Sequence, residues 1–132
     1  MDAALDRGVA NRTGLDRETL RKAVLEHLRY TQAKDLQSAT LRDIYLAIAH
    51  TIRDRLVHRW ITTTHQYREE DVKRVYYLSA EYLLGRQLSA NLHNLGLFEM
   101  AEEAMKEFDL ALEDIIEEEE DPGLGNGGLG RL

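Results

Sequence analysis

Thr40-Leu-Arg-Asp-Ile-Tyr-Leu-Ala-Ile-Ala-His50 begins the stretch that decides the fold, and no glycine or proline follows before Tyr67. Thr40 and Asp43 form a capping-box-like helix start, with aspartate in place of the usual glutamate. Apolar residues then recur at spacings of three and four, at Leu41, Ile44, Ile48, Ile52, Leu56 and Trp60. A helix over 41–67 is about 40 Å long. We therefore predict a strut that packs on something larger or on a second copy of the chain.

The segments around this helix also have helical patterns. Asp16 is placed to cap a helix that carries Leu20, Val24 and Leu28 on one face and runs to about Thr31. Further helices are predicted over 81–95, 97–108 and 110–119, with Asp109 as the cap of the last. Residues 1–15 are expected to form a flexible N-terminal arm, and residues 16–132 form the second predicted unit.

One segment favours a β-strand. Val75-Tyr-Tyr-Leu78 is β-branched, aromatic and aliphatic in succession, which predicts a strand that is buried on both faces. A lone strand leaves its backbone groups unpaired, and the sequence supplies no obvious partner strand. The expected fold class is mostly α with one buried β-strand, an α/β fragment whose remaining strands lie elsewhere.

Charge is distributed unevenly along the 132 residues. The net charge is −7, and residues 99–121 hold 12 of the 24 acidic residues with Lys106 as their one base. We interpret this segment as a solvated helical surface, and the alternative is a dedicated site for a basic partner. No basic stripe alternates with aromatic residues, so no nucleic-acid partner is expected.

Several site types are excluded or unsupported. The chain has no cysteine, which rules out a disulfide scaffold, a zinc–thiolate site and a cysteine nucleophile. We expect no metal site, because the histidines lack ligand spacing and are interpreted as packing or surface residues. Arg53, Asp54, Arg55 and Arg59 are expected on the exposed face of the long helix. No segment approaches the roughly 20 apolar residues of a membrane span, so we expect a soluble, cytoplasmic protein without a membrane partner.

The C-terminal stretch is the most suggestive of chemistry. It reads Gly123-Leu-Gly-Asn-Gly-Gly-Leu-Gly-Arg131. Glycine lets backbone N–H groups approach an anion closely, and a helix start adds further free N–H groups. The residues also satisfy G-x-G-x-x-G. A dinucleotide fingerprint requires a strand immediately before the glycines, and the acidic segment here is a poor strand. A phosphate loop, a nucleotide site and a glycine tail without function all remain open from the residues alone.

Three stretches together resemble one known family. They are Arg42–Asp54 followed by Arg59-Trp60, then Arg74-Val-Tyr-Tyr-Leu-Ser-Ala-Glu-Tyr-Leu-Leu-Gly-Arg86, and then Gly123–Leu132. In this order and spacing, they are similar to the N-terminal part of the α-glucan phosphorylases, the family of glycogen, starch and maltodextrin phosphorylases. The similarity runs from about Leu15 to the end of the chain.

The resemblance implies a fold, a reaction and a cofactor. Members of the family are several times longer and have two Rossmann-like lobes of the glycosyltransferase-B type. They split terminal α-1,4 bonds of a glucan with inorganic phosphate and release glucose 1-phosphate. Pyridoxal phosphate is bound there as a Schiff base to a lysine in the C-terminal lobe, which lies beyond Leu132 in this numbering. We therefore expect the chain to be a segment of the N-terminal lobe, cut at the glycine loop, with no complete catalytic set, no bound cofactor and no activity of its own.

Particular residues take roles by this resemblance. Gly127, Gly128 and Leu129 would form the loop whose N–H groups hold phosphate and sugar, and Asn126 and Glu81 would line the pocket beside the glucosyl unit. The segment 32–67 would supply much of a homodimer contact.

Regulatory positions of the animal enzymes are absent. No serine occurs in residues 1–37, Leu36 and Thr62 stand where two phosphoserine-binding arginines would be, and Arg68 replaces a nucleotide-stacking tyrosine. The resemblance thus implies a largely unregulated parent enzyme. Two alternatives remain: a non-catalytic helical module for dimerisation or interaction, and a nucleotide-binding protein that uses the glycine loop.

Overall fold

The structure is a computed structural model that describes residues 12–78 and 84–122. Five α-helices lie wholly within these residues: α1 (Arg17–Glu26), α2 (Leu41–Glu69), α3 (Leu88–Leu95), α4 (Phe98–Lys106) and α5 (Leu112–Glu117). A π-helical turn over His27–Thr31 continues α1. The described part of the chain is mostly helical, as the sequence predicts.

Helix α1 begins as its sequence predicts. The Asp16 carboxylate accepts hydrogen bonds from the Thr19 backbone N–H at 2.9 Å and from the Thr19 hydroxyl at 2.6 Å. These bonds satisfy one of the N–H groups that a helix start leaves unpaired. The apolar face of α1 is buried through Leu20, Val24 and Leu28, and the π-helical turn carries the chain to Thr31.

Helix α2 is the predicted strut, and its start is a complete capping box. The Thr40 hydroxyl accepts a hydrogen bond from the Asp43 N–H at 3.2 Å, and the Asp43 carboxylate accepts one from the Thr40 N–H at 2.8 Å. The helix runs 29 residues, two beyond the predicted end. Its apolar stripe divides into two parts. Ile44, Ile48 and Ile52 are buried, whereas from His58 to Glu69 only Thr64 is even half-buried.

The hydrophobic core surrounds the first half of α2. Helices α1, α3 and α5 pack against α2, and α4 packs against α1, α3 and α5. Small buried residues on α2 and α4 (Ala47, Ala101 and Ala104) leave room for neighbouring helices to approach closely. The core is completed by Leu88, Leu92, Leu95, Leu97, Met105, Leu112 and Ile115.

The later helices are shorter than predicted. Helix α3 begins at Leu88, and residues 84–87 before it are not helical. It ends at Leu95, and Gly96, which follows, is left-handed with φ 68°. The Gly96 N–H donates a hydrogen bond to the His93 carbonyl and the Leu97 N–H donates one to the Leu92 carbonyl, which caps the C-terminal end of the helix. The predicted cap of α5 is wrong. Asp109 is itself left-handed with φ 60°, and Ala111 occupies the N-cap without a side-chain hydrogen bond.

The buried strand predicted at Val75–Leu78 is not formed. Residues 72–78 are extended without strand pairing, and the four side chains at 75–78 are between 77% and 93% exposed. A strand becomes regular structure only when a neighbour accepts its backbone hydrogen bonds. Residues 12–78 and 84–122 contain no strand that could do so, which explains the difference.

Candidate functional site

The candidate substrate-binding residues lie outside the described structure. Glu81 falls between the two described ranges, and Asn126, Gly127, Gly128 and Leu129 follow the second. The structure does describe the segments that lead to them. Residues 84–87 follow the Glu81 stretch, and residues 119–122 precede the glycine loop.

A buried carboxylate joins these two flanking segments. Glu119 is only 8% exposed, and its two oxygens each accept one backbone hydrogen bond. One bond comes from the Gln87 N–H at 2.6 Å and the other from the Leu88 N–H at 2.8 Å. These are free N–H groups at the start of α3, where the helix dipole favours a negative charge. Glu119 therefore caps α3 from 31 residues away in the sequence.

Surrounding contacts add to this junction. Arg86 forms an ion pair with Glu117 at 3.2 Å, and Arg42 in the first turn of α2 forms one with Glu120 at 3.0 Å. Both pairs are solvent-exposed and therefore contribute little to stability. Burial, followed by the negative charge of Glu119, raises the pKa of the Tyr45 phenol. The Glu119 carboxylate thus lies close to α2 as well as to α3.

The burial of Glu119 was not predicted, although the sequence contains a signal for it. The residue lies in a run of four glutamates, Glu117–Glu120, which we interpreted as a solvated surface. Leu112, Ile115 and Glu119 recur at spacings of three and four, so helical periodicity places Glu119 on the buried face. Of the 12 acidic residues in 99–121, it is the one that is buried.

The prediction for Arg55 was wrong. Its side chain is 1% exposed and points into the structure. The guanidinium donates to the Gly14 carbonyl, from Nε at 3.0 Å and Nη2 at 2.6 Å, and to the Thr51 carbonyl from Nη1 at 2.9 Å. Burial lowers its pKa, and it forms no ion pair with any residue in the described ranges. Arg55 therefore ties the start of the described chain to α2.

A second polar cluster joins α1 to α2 nearby. His27 is buried, and its ring nitrogens contact the Asp54 carboxylate at 3.1 Å and the Thr31 hydroxyl at 2.9 Å. Arg12 completes the cluster with an ion pair to Asp54 at 2.8 Å. The His27 ring also stacks on His50, with centroids 5.5 Å apart. This arrangement agrees with the interpretation of His27 as a packing histidine.

The three positions compared with regulatory residues are all exposed. Leu36 lies in the connector before α2, while Thr62 and Arg68 lie in the exposed half of α2. The Thr62 hydroxyl donates to the His58 carbonyl of its own helix at 3.1 Å. All three side chains are therefore accessible to solvent.

The lysines of this chain do not fit a pyridoxal phosphate site. A Schiff-base lysine needs a neutral amine in a sheltered pocket. Lys22, Lys34 and Lys106 form ion pairs with carboxylates, and Lys73 is exposed. The hydrogen bond that Lys106 donates to the Glu102 carboxylate raises the pKa of Lys106, which keeps that amine protonated. No step of a cofactor reaction can be assigned to these residues.

The described residues contain neither a metal-binding cluster nor a membrane-spanning helix. No group of three or more histidine, aspartate or glutamate side chains is arranged to hold a metal ion. None of the helices there combines the length and apolar character needed to cross a bilayer.

Comparison with known proteins gives high similarity to one family. No protein-family model matches the chain. The chain is 53% identical over 122 residues to the glycogen phosphorylase of Synechocystis sp., a match that covers 92% of the chain and 14% of that protein. It is 54% identical over 113 residues to the brain form of glycogen phosphorylase from Bos taurus, a match that covers 86% of the chain and 13% of that protein. The brain form of glycogen phosphorylase from Rattus norvegicus is 51% identical over 127 residues, which cover 96% of the chain and 15% of that protein.

These matches extend over most of the chain but over a small part of each relative. The chain spans between 13% and 15% of the length of these three relatives. Identity above one half, sustained over more than 110 residues in bacterial and mammalian proteins alike, requires common ancestry. By sequence, the chain belongs to the glycogen phosphorylase family.

Proposed function

We propose that this chain is part of an α-glucan phosphorylase that releases glucose 1-phosphate from terminal α-1,4 bonds of a glucan with inorganic phosphate. The observation that carries the proposal is the 53% identity to a glycogen phosphorylase over 92% of the chain. The glycine-rich stretch 123–131 suits this reaction, because clustered backbone N–H groups stabilise phosphate charge. In this proposal Gly127, Gly128 and Leu129 hold phosphate and sugar.

The substrate pocket would be completed by residues from both flanks of the described structure. We place Glu81 and Asn126 beside the glucosyl unit, and the junction at Glu119 supports this arrangement because it joins the segments that lead to them. The lysine that carries pyridoxal phosphate lies outside these residues in the proposal, in the second lobe of a glycosyltransferase-B fold. Bound there, the cofactor would supply a proton donor and acceptor for the substrate phosphate.

The exposed strand segment fits the same proposal. Val75–Leu78 would pair with strands that the 12–78 and 84–122 ranges do not contain. Four consecutive apolar side chains that are at least 77% exposed are costly to leave in water. Their burial in the sheet of a larger N-terminal lobe would remove that cost.

The exposed half of α2 supports a homodimer contact through residues 32–67. Trp60 is 73% exposed, and Ile61 beside it is also exposed. Large aromatic residues on a surface are typical anchors of interfaces. In the longer enzyme, Trp60→Ala should shift the protein from dimer to monomer in sedimentation, while Glu99→Ala, outside this segment, should leave the dimer intact. An unchanged dimer in Trp60→Ala would contradict the assignment of the interface.

The parent enzyme should be largely unregulated and should act in the cytoplasm. Leu36 and Thr62 offer no positive charge to a phosphoserine, and Arg68 offers no aromatic ring to a nucleotide. We therefore expect the rate of phosphorolysis to be the same with and without AMP. Activation of several-fold would show that other residues provide the regulatory site.

The function itself is tested by assay of the longer protein that carries this chain. Purified protein, a glucan and inorganic phosphate should give glucose 1-phosphate, and the protein should show pyridoxal absorbance. The 132 residues alone should give neither, since one side of a cleft cannot position both substrates. If the gene ends after Leu132 and its product is soluble, the alternative of a helical interaction module replaces this proposal.

A further inference from the structure

We infer that His27, Asp54 and Arg12 form a proton-sensitive latch, in which protonation of His27 releases Arg12 from helix α2. The inference does not depend on the proposed phosphorolysis. The Arg12 Nε lies 2.8 Å from Asp54 Oδ2, and the His27 Nε2 lies 3.1 Å from the same atom. A single carboxylate oxygen on α2 therefore holds both an arginine and a histidine.

The partners of the His27 ring assign its hydrogens. A carboxylate oxygen only accepts hydrogen bonds, so Nε2 carries a hydrogen and donates it to Asp54. In the neutral ring, Nδ1 carries no hydrogen and accepts one from the Thr31 hydroxyl at 2.9 Å. An added proton would enter the ring at Nδ1, and the Thr31 hydroxyl can turn to accept it. Protonation therefore keeps both contacts of the ring and adds a positive charge beside Asp54.

This added charge would act on Arg12. Because both groups contact one oxygen, the Arg12 Nε and the His27 Nε2 are no more than about 6 Å apart, where two positive charges repel each other in a partly buried site. His27 is buried, whereas the Arg12 side chain is 58% exposed. Arg12 is therefore the group that can leave the carboxylate, since its charge is readily hydrated.

The other charges near His27 do not offset this repulsion. Helices α1 and α2 pack against the π-helical turn that carries His27. From α2, the His50 ring stacks on His27, and the Arg55 guanidinium interacts electrostatically with Asp54. From α1, Glu26 precedes His27 and is exposed. Within the described ranges, Asp54 is the only carboxylate that pairs with the ring, and its one charge already faces two arginines.

Release would be confined to Arg12, because a second contact holds the residues that follow. Arg55 donates to the Gly14 carbonyl from Nε at 3.0 Å and from Nη2 at 2.6 Å. An arginine stays charged over the whole range in which histidines titrate. We therefore expect Gly14 to remain on α2 when Arg12 leaves. Proton concentration would then set how firmly the chain before Gly14 is held on the longest helix.

The first test uses reciprocity: if protonation of His27 opens the latch, the closed latch must make that protonation harder. In the 132-residue chain, Arg12→Gln should let His27 become half-protonated at about a tenfold lower proton concentration, measured from the imidazole signals in an NMR titration. Arg17→Gln is the matched control, because it removes the same charge from an exposed side chain that pairs with Glu107 instead. It should change that concentration by less than about twofold. Equal changes in the two variants would overturn the inference.

The second test follows both groups during one pH titration of the wild-type chain. Between about pH 8 and about pH 5.5, the Arg12 amide should lose its ordered heteronuclear NOE with the same midpoint as the His27 ring, while the Leu15 amide keeps its value. Different midpoints would overturn the inference, and this result needs no variant to fold. In His27→Gln, the amide can still donate to Asp54 but takes up no proton, so Arg12 should stay ordered at every pH. An Arg12 amide that loosens there as well would also overturn the inference.

Discussion

The two halves of α2 share one helix and one apolar pattern, but they differ in what surrounds them. Between Leu41 and Val57 the stripe enters the core, and Ile48 and Ile52 are almost fully buried. Between His58 and Glu69 the pattern continues through Trp60 and Ile61, which are exposed. Periodicity therefore predicts which face of a helix is apolar, but it does not tell whether this chain supplies the residues that cover that face.

The same difference divides the arginines of α2. Arg55 and Arg59 lie one helical turn apart, yet Arg55 is buried on carbonyl oxygens and Arg59 is exposed. A buried guanidinium needs acceptors fixed in space, and the Gly14 and Thr51 carbonyls provide them. Residues of the same type on one helix can therefore have different roles, which three pairs of substitutions and one pH dependence can test.

The largest expected difference is between two isoleucines. Ile48→Ala should lower the free energy of unfolding of the 132-residue chain by about 3 kcal/mol, because it leaves a cavity in the core. Ile61→Ala should change it by less than about 0.5 kcal/mol, because the side chain is exposed. Urea unfolding followed by circular dichroism measures both. Equal losses would mean that the second half of α2 is already covered in the isolated chain.

The arginine pair should show a smaller contrast. Arg55→Met removes charged hydrogen bonds to the Gly14 and Thr51 carbonyls and should cost about 2 kcal/mol. Arg59 is exposed and forms no hydrogen bond or ion pair with a described residue, so Arg59→Met should be nearly neutral. The same urea titration compares them, with the wild-type chain as reference. A neutral Arg55→Met would contradict the buried placement of this side chain.

The capping box at the start of α2 should contribute less to stability than Arg55 does. Thr40→Ala removes the hydroxyl that accepts the Asp43 N–H and should cost about 1 kcal/mol. Thr62→Ala is the matched control in the exposed half, where the hydroxyl only bonds the His58 carbonyl of its own helix. Thermal unfolding should therefore show a lower Tm for Thr40→Ala alone. A similar Tm for the two variants would argue against the capping box.

The smallest effect is a pH dependence at the helix starts. Hydrogen bonds from Thr40 hold the pKa of Asp43 below its ordinary value of 3.8, and Thr19 does the same for Asp16. Because the folded pKa is the lower one, this stabilisation is present above about pH 4 and is lost as the pH falls through the folded pKa. Asp43→Ala should flatten the decline of stability between about pH 6 and pH 2. An unchanged slope would show that the Asp43 bonds are absent in solution.

Local signals in the sequence predicted the helical part of the fold well. The caps at Asp16 and at Thr40–Asp43 are formed by residues three apart in the sequence. The spacing of Leu20, Val24 and Leu28 marks one face of a helix. Both signals can therefore be recognised without a tertiary structure. The length of α2 followed from the lack of glycine and proline. These features depend on neighbours in the sequence, which is why they were predictable.

Features that depend on distant residues were not predictable in the same way. The strand at Val75–Leu78 needs pairing strands, and the described residues supply none. Arg55 was assigned to the surface because its acceptor, the Gly14 carbonyl, lies 41 residues away. Glu119 was interpreted as one of many surface acids, although its partners Gln87 and Leu88 are more than 30 residues distant. The candidate residues Glu81 and Asn126–Leu129 stay predictions, because they lie outside the described ranges.

The most direct test of the proposed function is the release of glucose 1-phosphate from a glucan and inorganic phosphate. The longer protein that carries this chain should form the product, and the 132 residues alone should form none under the same conditions. Product from the short chain, or none from the longer protein with its cofactor bound, would contradict the account.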